Sequence, residues 1–346
     1  MSLKYRAIRA VFEALWASRL PGLLRTLSGS RGVIFTLHRV LPETPPAFSP
    51  NAILQIQPQF LDYVIERIRA LGLDIVTLDE AMVLLASPAK GRQFAVLTFD
   101  DAYRDNLTHA LPILRRHEAP FTLYVPTALV DGTGEIWWQA IEDIIARVGA
   151  IAVDTKGAIE HLNTRTTSEK QQAFDHLYWR MRNMPEVERL EILHAFADRH
   201  GYNLAAQCRS LIMDWEELRA FAGDPLCTIG AHTVHHYELA KLPFKQARSE
   251  MGDCVDIIED RLGDRPAHFS YPLGGPLSAG QREFDLAREI GFDTAVTTRP
   301  GGLYPRHLEE PHALPRISLN GYFQSRRYVD VFATGSVFSA IGKLTN

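Results

Sequence analysis

Eight short runs in this 346-residue chain are apolar almost from end to end, and this pattern limits the fold more than any other feature. They are GVIFTLH (32–38), LDIVTL (73–78), FAVLTFDD (94–101), FTLYVP (121–126), LCTIGAH (226–232), AHFSYP (267–272), DTAVTT (293–298) and LPRISL (314–319). A strand with one wet face alternates apolar and polar residues. A strand without that alternation is covered on both faces, as in a parallel sheet flanked by helices. Helical stretches separate the runs. Thr77 with Glu80 and Asp214 with Glu217 have capping-box spacing, and Gly72, Gly263 and Gly291 stand where helix C-terminal glycines belong. Ala247, Met251, Val255, Ile258 and Leu262 share one face of a helix around 244–262. Strand and helix alternate as a parallel (β/α) barrel requires.

The rhythm breaks between Asp131 and Met213, a stretch rich in helix formers, with Trp137, Trp138 and Trp179 and no clear strand. It reads as a helical insertion (131–213) that divides a barrel spanning 31–130 and 214–322. An amphipathic helical segment (1–30) precedes the barrel, and a C-terminal tail (323–346) follows it. The one proline-rich loop is LPETPPAFSP (41–50). Residues 3–27 interleave Ile8, Val11, Phe12, Leu15, Trp16, Leu20 and Leu23 with Lys4, Arg6, Arg9, Arg19 and Arg25, against a single acid, Glu13. No run there is long enough to span a bilayer. The segment therefore packs on its own domain, the commoner fate of an amphipathic helix, or lies on an anionic membrane surface. The absence of a signal-peptide pattern predicts a cytoplasmic protein, with peripheral contact at the inner membrane face as an extension through residues 3–27. Lys plus Arg number 37 against 41 Asp plus Glu, a net charge of −4 that gives no electrostatic reason for a nucleic-acid partner. A neutral, sugar-like substrate fits better. Cys208, Cys227 and Cys254 lack close pairing, which predicts free thiols in a reducing compartment.

Polar residues collect at the ends of the apolar runs: His38, Asp100 and Asp101, His232, Tyr271, and Arg316 on the last strand. In a parallel barrel the C-terminal strand ends converge on one site. His232 and His236 are four apart, so on a helical segment they would share a face and could bind one ion; His235, three from His232, is also compatible. Two histidines and one carboxylate leave a position open for water, as in catalytic zinc sites. Neighbouring residues on a strand point opposite ways, but a turn at the strand end can bring Asp100 and Asp101 into one pocket. One could then bind metal while the other takes a proton from water. The plainer alternatives are that DDAYRDN only caps a helix N-terminus and that the histidines are ordinary surface or core residues.

TFDD, HTVHH, FSYPLGG and PRISL, in this order, resemble the NodB-type polysaccharide deacetylases of carbohydrate esterase family four, over roughly residues 31 to 320. The resemblance implies a distorted (β/α) barrel acting on an N-acetylated carbohydrate and releasing acetate. It implies Asp100 as base, and Asp101, His232 and His236 as ligands of one divalent ion, usually Zn²⁺. It also implies that Tyr271 donates its backbone N–H to the oxyanion. Two departures stand out. The L-x-H that often carries the general acid is replaced by LPRISLNG, where Arg316 could ion-pair with Asp100 and keep it oriented and ionised. The long insertion is the second. A proton donor is still needed, and His38 is assigned that role, because the first and last strands of a closed barrel are neighbours. A circularly permuted branch of the family that handles poly-N-acetylglucosamine uses a comparable YH near its N-terminus. His109, His268 and His312 lie outside a clear strand end. Two other classes compete: a hydrolase of a different non-peptide C–N bond, and a catalytically silent carbohydrate-binding protein. Trp137, Trp138 and Trp215 favour a sugar partner.

Overall fold

The structure is a computed structural model describing residues 3–27, 29–87, 91–154 and 158–335. Seven strands form its centre: β1 (Gly32–Leu37), β2 (Phe94–Asp100), β3 (Phe121–Val125), β4 (Cys227–Ala231), β5 (His268–Ser270), β6 (Thr294–Val296) and β7 (Ile317–Ser318). They pair in parallel in the order β6-β5-β4-β3-β2-β1-β7. The two edges of this sheet meet. Val296 bridges Leu314, with Thr297 N–H donating to the Leu314 carbonyl (2.8 Å) and Leu314 N–H to that of Ala295 (3.0 Å), and the chain then enters β7. The result is a distorted barrel. Every residue of β1, β2 and β3 is buried, as strands without alternation require. The run LDIVTL supplies only Asp74–Ile75, a short strand beside the start of β2. The capping boxes at Thr77 and Asp214 are formed, and Gly72, Gly263 and Gly291 have φ of 81°, 94° and 96°.

Residues 131–213 contain the helices Trp137–Arg147, Thr167–Arg182, Glu186–Arg199 and Leu204–Leu211. They also contain an antiparallel hairpin, Ala150–Asp154 with Ile159–Asn163, where the sequence offered no clear strand. The reason is physical: only Ile151 and Val153 are buried in the first strand and none in the second, so the period-2 signal is two residues long.

The helix Leu3–Ala17 lies on the domain. Phe12, 1% exposed, sits among Phe323, Tyr328 and Phe332 at ring separations of 5.2, 5.5 and 5.4 Å. Glu13 accepts a hydrogen bond from the Tyr328 hydroxyl (2.7 Å) and pairs with Arg327 (3.0 Å). Its partner, the helix Arg326–Phe332, falls in the stretch read from sequence as a tail. Arg6, Val11 and Trp16 face outward. The side chains of Lys4, Leu20 and Leu23, and residues 336–346, lie outside the described residues. No helix among the described residues is long and apolar enough to cross a membrane.

Candidate active site

Asp100 is the last residue of β2, held in register opposite Tyr124 of β3. The chain then turns through two left-handed residues, Asp101 (φ 77°) and Ala102 (φ 56°). Such backbone costs roughly 1 kcal/mol or more for a non-glycine residue and persists where surrounding structure enforces it; here the Ala102 carbonyl accepts from Met213 N–H (3.1 Å). The turn brings both carboxylates to one cleft. Asp100, 2% exposed, is gripped at both oxygens by Arg316, with Nη1 donating to Oδ1 and Nη2 to Oδ2, each at 2.7 Å. Arg316 is itself fixed by the Thr297 carbonyl (2.9 Å), the Thr98 hydroxyl (3.1 Å) and the Ser270 hydroxyl (2.9 Å). Burial alone would raise the Asp100 carboxyl, but the guanidinium more than offsets it and holds the group below its ordinary range.

Asp101 faces the histidines. Its Oδ1 lies 3.5 Å from His232 Nε2 and 3.3 Å from His236 Nε2, all three side chains being buried. Burial pushes this carboxyl upward too, and His236 and His232 overcome it, holding the group well below the usual range. His232 Nδ1 lies 2.6 Å from the Ser270 carbonyl, which can only accept, so Nδ1 carries a proton and Nε2 is the ring nitrogen left to face Asp101. Asp101 Oδ1 is buried with no hydrogen-bond partner among the described residues. An orphaned carboxylate oxygen beside imidazole nitrogens is the donor set a divalent cation satisfies, so Asp101, His232 and His236 fit such an ion. The HTVHH segment is not helical, contrary to the condition attached to its spacing. Left-handed Thr233 (φ 65°) and His236 (φ 58°) fold the loop so that the two rings approach to 5.0 Å. His235 points away and bonds Glu250 (2.7 Å), which removes it from the donor set.

His38 follows β1, half-buried, with its carbonyl held by Asn106 (3.0 Å), and it lines the same cleft as the aspartates and His232. Burial lowers its pKa while Asp101 and Asp100 pull it upward, and burial prevails. The carboxylates thus act in the expected direction without winning. Tyr271 does not match expectation. Its backbone N–H donates to the Val296 carbonyl (3.2 Å), and its side chain is buried in the core with the hydroxyl on the His312 carbonyl (2.9 Å). The amide is spent in the sheet, as befits a residue directly after a strand. Two residues on, Leu273 has φ of 62°, lines the cleft, and donates its N–H to no acceptor among the described residues. Its carbonyl and the next residue's are tied to Thr298 (2.6 and 3.0 Å), fixing the turn.

The cleft has a volume of about 490 Å³. Its floor is the strand ends, and its walls come from elsewhere: Tyr5 of the first helix, Asn51 and Leu54 after the proline-rich loop, Trp137, Trp138, Tyr178 and Trp179 of the insertion, and Tyr322. Trp215, expected among the sugar-facing aromatics, instead bonds Asp131 (2.7 Å) under the Arg261 guanidinium and does not line the cleft.

A distorted parallel (β/α) barrel with two carboxylates and two histidines converging at its strand ends is the class of architecture the structure defines. The family is then given by comparison: a polysaccharide deacetylase model matches residues 87–189 and 191–295, more than half of the chain, and the protein belongs to that family. YxkH of Bacillus subtilis (strain 168), which carries the same family name, is 30% identical over 86 residues. That match takes in 23% of this chain and 30% of YxkH, so less than a third of the relative's length is spanned. Among solved structures, the Streptococcus pyogenes deacetylase PplD, in complex with acetate, superimposes with a TM-score of 0.57 at 17% identity, covering 87% of this chain and 97% of PplD. IcaB from Ammonifex degensii gives 0.52 at 18% identity, covering 87% and 98%. At these identities the two structures speak for the fold.

Proposed function

We propose that this protein is a metal-dependent deacetylase that hydrolyses N-acetyl groups of an amino-sugar glycan, releasing acetate, the molecule PplD holds. The observation that carries the proposal is the orphaned Oδ1 of Asp101 between two imidazole nitrogens, beside a second carboxylate locked by an arginine. A divalent ion, zinc by preference for such a set, would be held by Asp101, His232 and His236 and would supply Lewis acidity toward water and the acetamide carbonyl. Asp100 takes the proton of the attacking water. Its lowered pKa makes it a modest base, and what Arg316 contributes is an ionised resting state and a fixed direction. The Leu273 N–H, which has no acceptor among the described residues, would donate to the carbonyl oxygen as it gains charge, the role that the Tyr271 amide is not free to take. His38 gives the proton to the departing amine. Free thiols at all three cysteines are in keeping with a reducing compartment.

The test is acetate release from N-acetylglucosamine oligomers by zinc-loaded protein. Asp100→Asn should lower turnover by on the order of 10² to 10⁴, as loss of a general base does. Absence of acetate from every N-acetyl glycan tried, or full activity in Asp100→Asn, would end the proposal.

A further inference from the structure

One wall of the cleft is a ladder of rings leading away from the metal-type site. Trp138 lies 5.0 Å from the His236 ring, Trp137 meets Trp138 at 5.8 Å, Tyr178 stacks on Trp137 at 5.1 Å, and Trp179 meets Tyr178 edge-on at 5.4 Å. Trp137 and Trp138 are buried and Tyr178 is half-buried, and all three pack against the core. Trp179, which ends the ladder on the cleft, is 60% exposed and contributes little to the core. Its indole offers a flat apolar face where a sugar ring can stack.

Asp175 lies one turn earlier on the same helix, Thr167–Arg182, which puts it beside Trp179 at i, i+4 spacing. It is exposed and lines the cleft. Its side chain accepts from Gln171 Nε2 (2.9 Å) and has no cationic partner among the described residues. The other two carboxylates of the cleft are accounted for, Asp100 by Arg316 and Asp101 by the histidines. Among the described residues that line the cleft there is no lysine and no arginine. A diphosphate-bearing substrate, whether a nucleotide sugar or a lipid-linked one, would find no cationic side chain among these described residues to pair with it beyond the ion site. An ammonium group would find a carboxylate next to an indole, the arrangement that favours a cation through charge-assisted hydrogen bonding and the ring's negative face.

We propose that Trp179 and Asp175 form a subsite for a sugar whose amine is already free, flanking the unit that loses its acetyl group. This rests on the deacetylase reading of the neighbouring site and adds a preference to it: a partly deacetylated glycan is a better substrate than a fully acetylated one. Each turnover then creates the amine that the subsite takes next, so deacetylation runs along the chain in blocks.

Two measurements on zinc-loaded protein test this. In the first, calorimetric binding is compared for oligomers of glucosamine and of N-acetylglucosamine of equal length. The wild type should bind the free-amine oligomer roughly three- to tenfold more tightly, the range of an exposed ion pair with a cation–π contact, and about 0.5 M salt should shrink the difference. Asp175→Asn should bring the ratio to within about twofold of unity, and Trp179→Ala should weaken both oligomers. In the second, kcat/KM for an oligomer with one free amine should exceed that for its fully acetylated counterpart, and the excess should vanish in Asp175→Asn. Equal or undetectable binding of the two oligomers by the wild type, or a preference that survives Asp175→Asn, overturns the subsite. If the wild type releases no acetate from any glycan, the deacetylase reading fails and the binding ratio still decides the subsite. Acetate release without a preference ends the subsite alone.

Discussion

The strand-end floor of the cleft and the ring-lined wall above it are built on opposite principles. On the floor, buried charges hold one another: Arg316 takes both oxygens of Asp100, Ser270 orients His232, and the one oxygen left over, on Asp101, faces two nitrogens. The wall is mostly aromatic and is assembled from separate stretches of chain outside the barrel, its outermost ring half in solvent. Buried charge networks are costly to disturb, because a lost partner leaves an ion in a place that cannot hydrate it. A ring on a rim can change at small cost. The contrast teaches that the candidate chemical groups of this fold are tied to strand register, whereas the shape of the cleft above them is set by what has been added around the barrel.

The largest effect should follow from breaking the floor. Arg316→Met leaves Asp100 buried without its cation and should cost about 3–5 kcal/mol of stability by urea unfolding. The double variant with Asp100→Leu should recover much of that. Equal losses in the single and double variants would show that the pair is not a unit, and the comparison would lose its basis.

His38→Ala should cut turnover by on the order of 10² to 10⁴ while zinc content stays at one per chain. Near-normal turnover excludes His38 as the proton donor, and loss of zinc makes it a ligand. The wall is probed through its support. Phe12 anchors the helix that supplies Tyr5, so Phe12→Ala should destabilise by about 3 kcal/mol and raise KM several-fold with kcat little changed. A fall in kcat with KM constant would mean that the first helix serves the floor instead.

The smallest effect lies outside both regions. Burial, with Arg306, lowers the His307 pKa to about 4, and its neutral Nδ1 accepts from Tyr304 N–H (3.0 Å). The unfolded chain, with His near 6.5, binds this proton first as pH falls. The stability contributed is present above pH 6.5 and lost between 6.5 and about 4. Thermal unfolding midpoints across that window should drop less in His307→Gln than in the wild type; parallel curves would assign the drop to other groups.

How much of this was legible in sequence follows the same divide. Strands β1, β2, β3, β5 and β6 come from apolar runs and are buried throughout, and burial on both faces is the one thing such a run can report; β4 is half-buried at Cys227–Ile229 and β7 is exposed at Ser318. The floor residues Asp100, Asp101, His232 and Arg316 were visible because strand ends and polar residues coincide. Legibility stopped where backbone conformation decides: nothing in HTVHH announces that left-handed Thr233 and His236, and not a helix turn, bring the rings together. In FSYPLGG the aromatic residue drew attention, although the amide without an acceptor among the described residues belongs to left-handed Leu273. The wall was illegible for another reason. Tyr5, Trp138, Tyr178 and Tyr322 meet only through tertiary packing of the insertion and both ends of the chain, and no local period records such a meeting. Phe12 and Phe332 are likewise far apart in sequence and in ring contact at 5.4 Å.

The central claim is that two adjacent aspartates divide the work, Asp101 binding the ion and Asp100 handling the proton. It is tested most directly by measuring zinc stoichiometry and acetate release side by side in Asp100→Asn and Asp101→Asn, with circular dichroism verifying that each is folded. Asparagine suits both positions, since it keeps the side-chain shape and tolerates the left-handed backbone at residue 101. The division predicts one zinc and almost no acetate in Asp100→Asn, and neither zinc nor acetate in Asp101→Asn. Folded variants that lose zinc equally, or an Asp101→Asn protein that retains both zinc and acetate release, would contradict it.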